Sequence, residues 1–545
     1  MKKRFISLTL VLSMIMSLFV VMPHTAGAAD GDVPSDMEDP IKIGTAGELL
    51  DFVNNTKKYD PALGQDVILT NDIDVSGYDA QIRIGDEDDN RGYHGIFDGQ
   101  GHKITGLKYT AENSEDAGLF AYTTNGAVIR NLVIEGANIK SALRGGVVVG
   151  NAVGTEIYNV SVRNSNIELF SNGSVITLVT NLGMRGGVIA GDMSNSVMYN
   201  CESVNSTAFV ESVGGVQALG GDGIILGGLA GVVSNSTIEY SRVIGGQVNL
   251  DYRVAVGALN VKMIYAGGMA GEVKSGANII DCYSTADVYG QAEVYVSVGA
   301  GADGCVGGIV GYAPENGYKI ERCHFAGTLR SRLVNSILAL PVVVMNDFYL
   351  NGILGRNSNG SNNVVNCYYD WETTRSKLVK SNAEITAVED TGDTASFSSV
   401  SHSQYTDTSF WSGKDFDFNG TTPRYTASDA IVGAKHTNRW VMDYSTGMPV
   451  HGKGVTAATD FPGAGMVTIG AEGYRDAVST DSGNVTQITD ANDETVTLTA
   501  AEKTGYVFNG WFAGTIDEHG VGVKGGGDRL SKELTYEAPA EDNAI

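Results

Sequence analysis

Between Ala117 and Gly355 the chain alternates short apolar runs with polar turns, in a pattern that returns seven times. Aligned on their last residues, the runs read AGLFA (117–121), GVVVG (146–150), GVIAG (187–191), GGLAG (227–231), GGMAG (267–271), GGIVG (307–311) and NGILG (351–355). Successive copies therefore end 29, 41, 40, 40, 40 and 44 residues apart. Each run is followed by a polar turn and a second apolar stretch: IRNLVIEG (129–136), IYNVSV (157–162), MYNCES (198–203), IEYSRV (238–243), IIDCYS (279–284), IERCHF (320–325) and VVNCYY (364–369). Runs this short, bounded by glycine, asparagine and serine, predict strands rather than helices. A fixed period predicts one structural unit per copy, stacked on the next.

With one lap of chain per copy, equivalent residues of neighbouring laps stand about 4.8 Å apart, the ordinary strand spacing. The residues that stack in the second strand are then Leu132, Val160, Cys201, Ser241, Cys282, Cys323 and Cys367. All but Ser241 are apolar or cysteine, as an inward-facing column requires, and cysteine serves there as a small hydrophobe. Neighbouring cysteines of such a column lie within Cα range of a disulfide. Side chains stacked in parallel point the same way, however, so buried free thiols are expected at Cys282, Cys323 and Cys367. Cys201 is separated from Cys282 by a whole lap, that of Ser241, and should not reach it. The glycines of the first strand are expected where a second backbone layer or a sharp corner comes close. A phosphate-cradling loop is excluded, because no copy is followed by lysine and serine or threonine.

From Asn164 onward a lap is about 11 residues longer (40 against 29). The additions include NIELFSNGSVITLVTNL (166–182), QVNLDYRVAVGALNVKMIY (247–265) and LRSRLVNSILALPVVVMNDFYL (329–350). They alternate apolar with polar residues and read as strand pairs that stack into an extra sheet along one flank. That flank is either a binding face or an inert thickening of the core, two readings of equal weight.

The ends differ in character. IKIGTAGELLDFVNNTKK (41–58) predicts a helix with Thr45 as N-cap, Glu48 at capping-box spacing, and Leu49, Leu50, Phe52 and Val53 on its apolar face. Such a helix would cover the open N-terminal end of a solenoid. Ser376 to Ser409 is polar and reads as a loosely ordered excursion. FWSGKDFDFNG (410–420) and NRWVMDYSTGMPV (438–450) restore aromatic content, with Trp411, Phe416, Phe418 and Trp440 expected as lid residues rather than an exposed sugar-stacking platform. Residues 454–545 read as a separate small β module carrying VTLTA (496–500), GYVFNGWFAG (505–514) and LTYEA (534–538).

DVILTNDIDV (66–75), GIFDGQGHKITGL (95–107), the GGLAG strands and the IIDCYS strands together resemble the GLUG-motif family of exported bacterial surface proteins. The resemblance spans Ile41 to Gly452 and implies a right-handed parallel β-helix, a single-stranded solenoid. It also implies an adhesion-like role with no catalytic residue set. The longer laps depart from that family's unit. The C-terminal module is similar to the internalin-type B repeat, in which a final strand follows where Asp542-Asn543-Ala544-Ile545 stands, so a truncated module is the expectation there. The domain reading is a signal peptide at 1–28, a leader at 29–40, the capped β-helix at 41–453 and the β module at 454–545.

Composition narrows the function classes. The 545 residues are 42% apolar and 18% charged, with 71 glycines and 10 prolines, which suits a large core built from strands and tight turns. A net charge of −26 argues against nucleic acid and anionic membranes as partners. Lys2, Lys3 and Arg4, the apolar run Phe5 to Met22 and Ala26-Gly27-Ala28 read as a secretory signal. Five cysteines are too few for a disulfide framework.

Candidate chemistry is sparse. Asp98 and His102 make a conceivable acid/base pair, but two corner residues bonded to backbone is the favoured reading. Asp86-Glu87-Asp88-Asp89-Asn90 offers hard oxygens for calcium, against which a solvated acidic loop is preferred. Asp192, Asp222, Asp281, Asp287 and Asp303 are the carboxylates available for glycoside chemistry, and no spacing favours any pair. No HExxH, GxSxG or pectinase-type signature occurs. The reading is therefore an exported bacterial surface protein, monomeric and adhesin-like, that binds glycans or proteins of a host or neighbouring cell. It carries no catalytic, cofactor-binding or metal residues. The rivals are a β-helix polysaccharide lyase or glycoside hydrolase acting on extracellular polysaccharide, and a purely structural spacer.

Overall fold

The computed structural model describes residue 34 and residues 36–544, apart from 79–80, 87–90, 112–114, 171–176, 179–182, 211–215, 219–222, 255, 259–263, 295–296, 299–303, 336–347, 359–362, 376–396, 419–437, 444–445, 460–463, 471–476, 479–483, 490–494, 517–521 and 540–542. The signal-peptide stretch 1–28 lies outside the described residues. These divide into two compact units, one running through Phe416 and the other from Asp417 onward.

The first unit is a parallel β-solenoid with one lap per glycine-marked repeat. In one lap the chain passes through Ile224–Gly227, Ala230–Ser234, Thr237–Glu239, Arg242–Ile244 and Gln247–Val254. Each strand pairs in parallel with its counterpart one lap away. Gly187, Gly227, Gly267, Gly307 and Asn351 are consecutive partners in one column, and Ala190, Ala230, Ala270, Val310 and Leu354 in another. The second-strand column is as expected. Val160 pairs with Leu132, and the neighbouring pairs Ser161–Glu202, Glu202–Arg242, Arg242–Tyr283, Tyr283–His324 and His324–Tyr368 align the rest. Leu132, Val160, Cys201, Ser241, Cys282, Cys323 and Cys367 are all fully buried. One continuous apolar cluster runs from Ile43 to Cys367.

The glycines serve the corner between the first two strands of a lap. A Cβ on Gly267 would lie 1.9 Å from the Ala270 carbonyl oxygen, within the corner itself. A Cβ on Gly271 would lie 2.4 Å from Ile225 Cγ2, because the strand after the corner presses on the strand before the corner of the preceding lap. Both positions exclude any side chain, for reasons of contact rather than dihedral freedom.

The second strand has a feature not anticipated from its apolar pattern. Asn131, Asn159, Asn200, Tyr240, Asp281, Arg322 and Asn366 all adopt left-handed backbone, with φ between 48° and 53°. Asparagine tolerates this conformation, whereas tyrosine and arginine rarely do. One left-handed residue per lap bends the strand so that the cysteine-column residue behind it turns inward.

All five cysteines are free and buried. Cys201 Sγ donates to the carbonyls of Ile157 and Tyr199 at 3.5 and 3.3 Å. Burial pushes its thiol up to about 12. Because all five thiols are closed to solvent, the folded protein should take up no iodoacetamide at pH 8, and five equivalents once guanidinium is added. Labelling of any cysteine in the folded protein would contradict this packing.

The N-terminal helix α1 (Ala46–Lys58) forms as predicted. Thr45 Oγ1 accepts from the Glu48 N–H at 3.3 Å, and Glu48 reaches back to the Gly44 N–H at 2.9 Å. Leu49, Phe52 and Val53 enter the solenoid core. Leu50 is only partly buried, and Thr56 takes its place on the buried face. The predicted flank sheet is present as Thr177–Leu178, Val216–Ala218, Val256–Ala258 and Ser297–Val298, paired in parallel and in register.

Two expectations are corrected at the C-terminal side of the solenoid. Residues 376–396 lie outside the described residues, but 397–409 are ordered. Phe397–Val400 pairs in parallel with Cys367–Asp370, and two helical turns follow, α2 (His402–Tyr405) and α3 (Thr408–Ser412). Ser401 and Gln404 close a full capping box, so serine here starts a helix rather than marking disorder. Trp411 and Phe416 are buried, yet they lie on the outward side of the second strand. Trp411 stands 5.5 Å from His324, whose ring stacks on Tyr283 at 5.0 Å. They cover a flank, where an end plug was expected.

Phe418 and Trp440 belong to the second unit, Phe418 half-buried and Trp440 buried against His451 at 4.5 Å. That unit holds the antiparallel hairpin Trp440–Asp443 and Met448–His451 and two further sheets. The first sheet runs, in spatial order, Asn484–Thr489, Lys453–Ala458, Asn543–Ala544, Trp511–Ile516 and Gly522–Ser531. The other runs Ala477–Val478, Gly465–Gly470, Thr495–Glu502 and Thr535–Pro539. Val455, Val467, Ile469, Leu498 and Trp511 are among its small core. GYVFNGWFAG is a strand only from Trp511, because Gly505 and Gly510 sit at φ 95° and 122° and break it.

Candidate functional site

The carboxylates of the solenoid are the first place to seek chemistry, and the sequence candidates among the described residues, Asp98, Asp192, Asp281 and Asp287, are bound. Asp98 and His102 part company: Asp98 takes Arg130 Nε at 2.6 Å, Asn131 Nδ2 at 3.1 Å and the Gln100 N–H at 2.8 Å. His102 instead approaches Asp72 at 3.4 Å. Asp192 takes Arg185 at 2.5 Å, Asp281 takes Arg322 through both oxygens at 2.6 and 3.0 Å, and Asp287 accepts from Thr328. Asp222 and Asp303 lie outside the described residues. So do residues 87–90 of the acidic run, whose Asp86 accepts from Arg83 at 3.1 Å.

The strongest convergence was not singled out in the sequence. Glu202 is fully buried and accepts from Ser161 Oγ at 2.7 Å, Arg163 Nη2 at 3.3 Å and Arg242 at 3.0 and 3.1 Å. Its partners come from the laps before and after, so no contiguous motif announces it. Further toward the N-terminus, Arg130 holds leader residue Asp36 at 2.6 and 2.8 Å, and that hydrogen bond lowers the Asp36 carboxyl below its usual range. Acids bound to guanidinium groups and closed to solvent give structural ion pairs. Among the described residues no group of three or more His, Cys, Asp or Glu side chains is placed to hold a metal ion. Nor is any described helix long and apolar enough to cross a membrane.

Exposed apolar surface concentrates in the second unit. Tyr506, Val507, Met466, Val523, Leu530 and Leu534 are exposed there, Val507 at 86%, while among the described residues of the first unit only Tyr59 and Tyr78 are large, apolar and exposed. A groove opens among Met466, Val467, Tyr506, Phe508, Trp511 and Phe512. Its floor is fixed: Trp511 is 4% exposed, donates Nε1–H to the Glu533 carbonyl at 3.0 Å, and packs on Phe508 at 5.3 Å. The Phe508 N–H donates to Glu502 at 2.7 Å. At the rim, Lys524 Nζ stands 3.7 Å from the centre of the Phe512 ring. The groove thus offers aromatic faces, a cation and a carboxylate within one cleft.

No family model matches the chain, and no curated protein does. The GLUG-type and internalin-type resemblances therefore rest on their motif residues alone. Among solved structures the chain is similar to an IgA1 protease, at 15% identity and a TM-score of 0.39, over 62% of this chain. It spans only 22% of that protein's length. It is also similar to a candidate immunoglobulin A1 protease from Bacteroides ovatus, at 18% identity and a TM-score of 0.36, covering 76% of this chain and 92% of that one. Neither overlay is close enough to carry an activity across.

Two features of the site were visible in part. The aromatic residues of the groove stand in GYVFNGWFAG, but their exposure follows from the break at Gly505 and Gly510, which the apolar pattern hides. The recurring asparagine of the second strand is plain in IRNLVI, IYNVSV and MYNCES once the laps are aligned.

Proposed function

We propose that this is a non-enzymatic, exported binding protein, in which the solenoid is a stiff support and the C-terminal β module carries the binding groove for a glycan or protein of another cell. One contrast carries the reading. Asp192, Asp281 and Glu202 of the solenoid are tied to cations or hydroxyls, whereas the groove of the second unit leaves aromatic and apolar side chains open to solvent. The charged start, apolar run and small-residue end of residues 1–28 support export to a bacterial surface. Exposed apolar patches on soluble domains commonly mark interaction sites.

The test is a glycan array and a panel of extracellular-matrix proteins probed with the chain from Ala29. Binding is expected, reduced at least about ten-fold by the pair Tyr506→Ala and Phe512→Ala, since such aromatic anchors dominate contact energy. Binding that survives that pair moves the site elsewhere, and no binding on either panel removes the reading. A lyase or glycosidase working along the laps is the second reading, favoured by the meeting of Glu202 with Arg163 and Arg242 from adjoining laps. The full burial of Glu202 weighs against it. Release of reducing or unsaturated ends from a polysaccharide panel would decide for it.

A further inference from the structure

The added segments that read from sequence as either a binding face or an inert thickening begin in one sheet of the solenoid. Its later strands are Asn166–Leu169, Thr207–Val210, Gln247–Val254, Asp287–Val294 and Thr328–Asn335. Their pairing puts Lys140, Glu168, Phe209, Asn249, Tyr289 and Arg330 in one column, one residue per lap. Ile167, Ala208, Val248, Val288 and Leu329, one position earlier, belong to the core, so strand alternation turns the column outward. Lys140 is tied to Glu168 at 2.6 Å. From Phe209 to Arg330 the four side chains are half-buried, and beside them stand Thr207, half-buried, and Gln247, exposed. Phe209 and Tyr289 are two laps apart, which sets their rings about 9.6 Å from each other at a strand spacing of about 4.8 Å. The Tyr289 ring is held in place: its hydroxyl donates to Gln291 Oε1, and the Arg330 guanidinium stands 5.7 Å from its centre. Asn249 lies between the two rings, and its Oδ1 has no hydrogen-bond partner; nor has Arg330 Nε.

We propose that this face of the solenoid is a second binding site, separate from the groove of the second unit, and that it takes an extended chain of neutral sugars lying along the laps. A pyranose ring has an apolar face of C–H bonds and a rim of hydroxyls, so it calls for a flat aromatic platform with amides and hydroxyls beside it. Phe209 and Tyr289 are two such platforms, set apart by a distance of the order of one disaccharide unit. Asn249, Gln247 and Thr207 are the hydrogen-bonding groups between and beside them. An orphaned amide oxygen is held at a standing cost, which a sugar hydroxyl donating to it removes. A turn of the half-buried Asn249 side chain brings that amide to the surface. An anionic polysaccharide suits the face less, because the chain carries a net charge of −26 and Lys140 is already bound to Glu168. An extended peptide finds no strand edge to pair with, since Thr207–Val210, Gln247–Val254 and Asp287–Val294 are each paired on both sides.

The test is titration calorimetry on the whole chain with neutral oligosaccharides of six glucose, mannose or N-acetylglucosamine units, their disaccharides, and an oligogalacturonate of the same length. At least one neutral hexasaccharide should bind, and its disaccharide should bind at least about ten-fold more weakly, because it reaches one ring and not both. Phe209→Leu and Tyr289→Leu keep apolar bulk on the sheet and remove the flat ring; each should weaken the hexasaccharide by about ten-fold. Asn249→Ala leaves both rings in place and should weaken it by about three-fold or more, the worth of one hydrogen bond. The pair Tyr506→Ala and Phe512→Ala should change nothing at this site. A urea midpoint close to that of the parent shows that each variant is folded, and Asn249→Ala carries the test should a ring variant unfold. No binding of any neutral hexasaccharide, equal binding of the disaccharide, tighter binding of the oligogalacturonate, or affinity unmoved by the ring and amide variants would overturn the face. Loss of binding through the Tyr506 and Phe512 pair alone overturns the face and leaves the groove reading standing.

Discussion

Gly267→Ala is expected to lower stability by about 3 kcal/mol or more, the upper range for forcing volume into a packed site. The added methyl would lie 1.9 Å from the Ala270 carbonyl oxygen, 2.7 Å from the Gly311 nitrogen and 2.8 Å from the Ala270 carbonyl carbon. All three atoms are backbone, so no side chain can rotate away, and the lap itself has to move. Gly136→Ala is the matched control. Gly136 has φ 64° with nothing near its missing Cβ, so alanine there meets only the left-handed penalty of about 1–2 kcal/mol. Laps of a solenoid open in sections, so hydrogen exchange lap by lap is the better readout, with a urea midpoint beside it. Gly267→Ala should expose the laps through Gly227 and Gly307 together, because each pairs directly with Gly267. A variant as stable as the parent, or less affected than Gly136→Ala, would mean that the corner is looser than described.

Glu202→Ala is expected to cost about 3–5 kcal/mol, the usual result of removing one partner from a buried ion pair. Arg163 and Arg242 would both lose their carboxylate, and Ser161 would lose its acceptor. Water cannot replace it without opening the strand, since the Glu202 side chain is fully closed to solvent. Glu202→Gln keeps one oxygen for Ser161 and should cost less, about 1–3 kcal/mol. Unfolding in urea ranks the two. If alanine is tolerated as well as glutamine, the guanidinium groups have solvent or other anions to turn to, and the cluster is not a closed ion pair.

The solenoid was legible because each lap repeats a local condition. A corner that admits no side chain leaves glycine at Gly187, Gly227, Gly267 and Gly307, and an inward column leaves cysteine or an aliphatic residue. Both recur at one spacing, so the period exposes them without any knowledge of contacts. The helix start at Thr45 and Glu48 was legible for the same reason, since capping is settled within four residues. What escaped depends on partners far apart in sequence. The ion-pair set around Glu202 joins residues about 40 apart in the chain (Glu202 to Arg242), and neither end is unusual alone. The placement of Trp411 over His324 rather than over the end of the stack could not be read from an aromatic cluster, which is apolar in either position.

The asparagine kink has one more consequence. Arg242 donates to Asn200 at 3.4 Å, Asn200 to Asn159 at 2.9 Å, Asn159 to Asn131 at 3.0 Å and Asn131 to Asp98 at 3.1 Å. The amides form a file with a fixed polarity, a guanidinium at its head and a carboxylate at its foot, so their dipoles point one way and reinforce each other. Such a file cannot be lengthened with an arbitrary turn of chain. A turn grafted between Asn159 and Asn200 has to bring its own amide in the same orientation, or it cuts a polarised line in two and strands a donor on one side and an acceptor on the other.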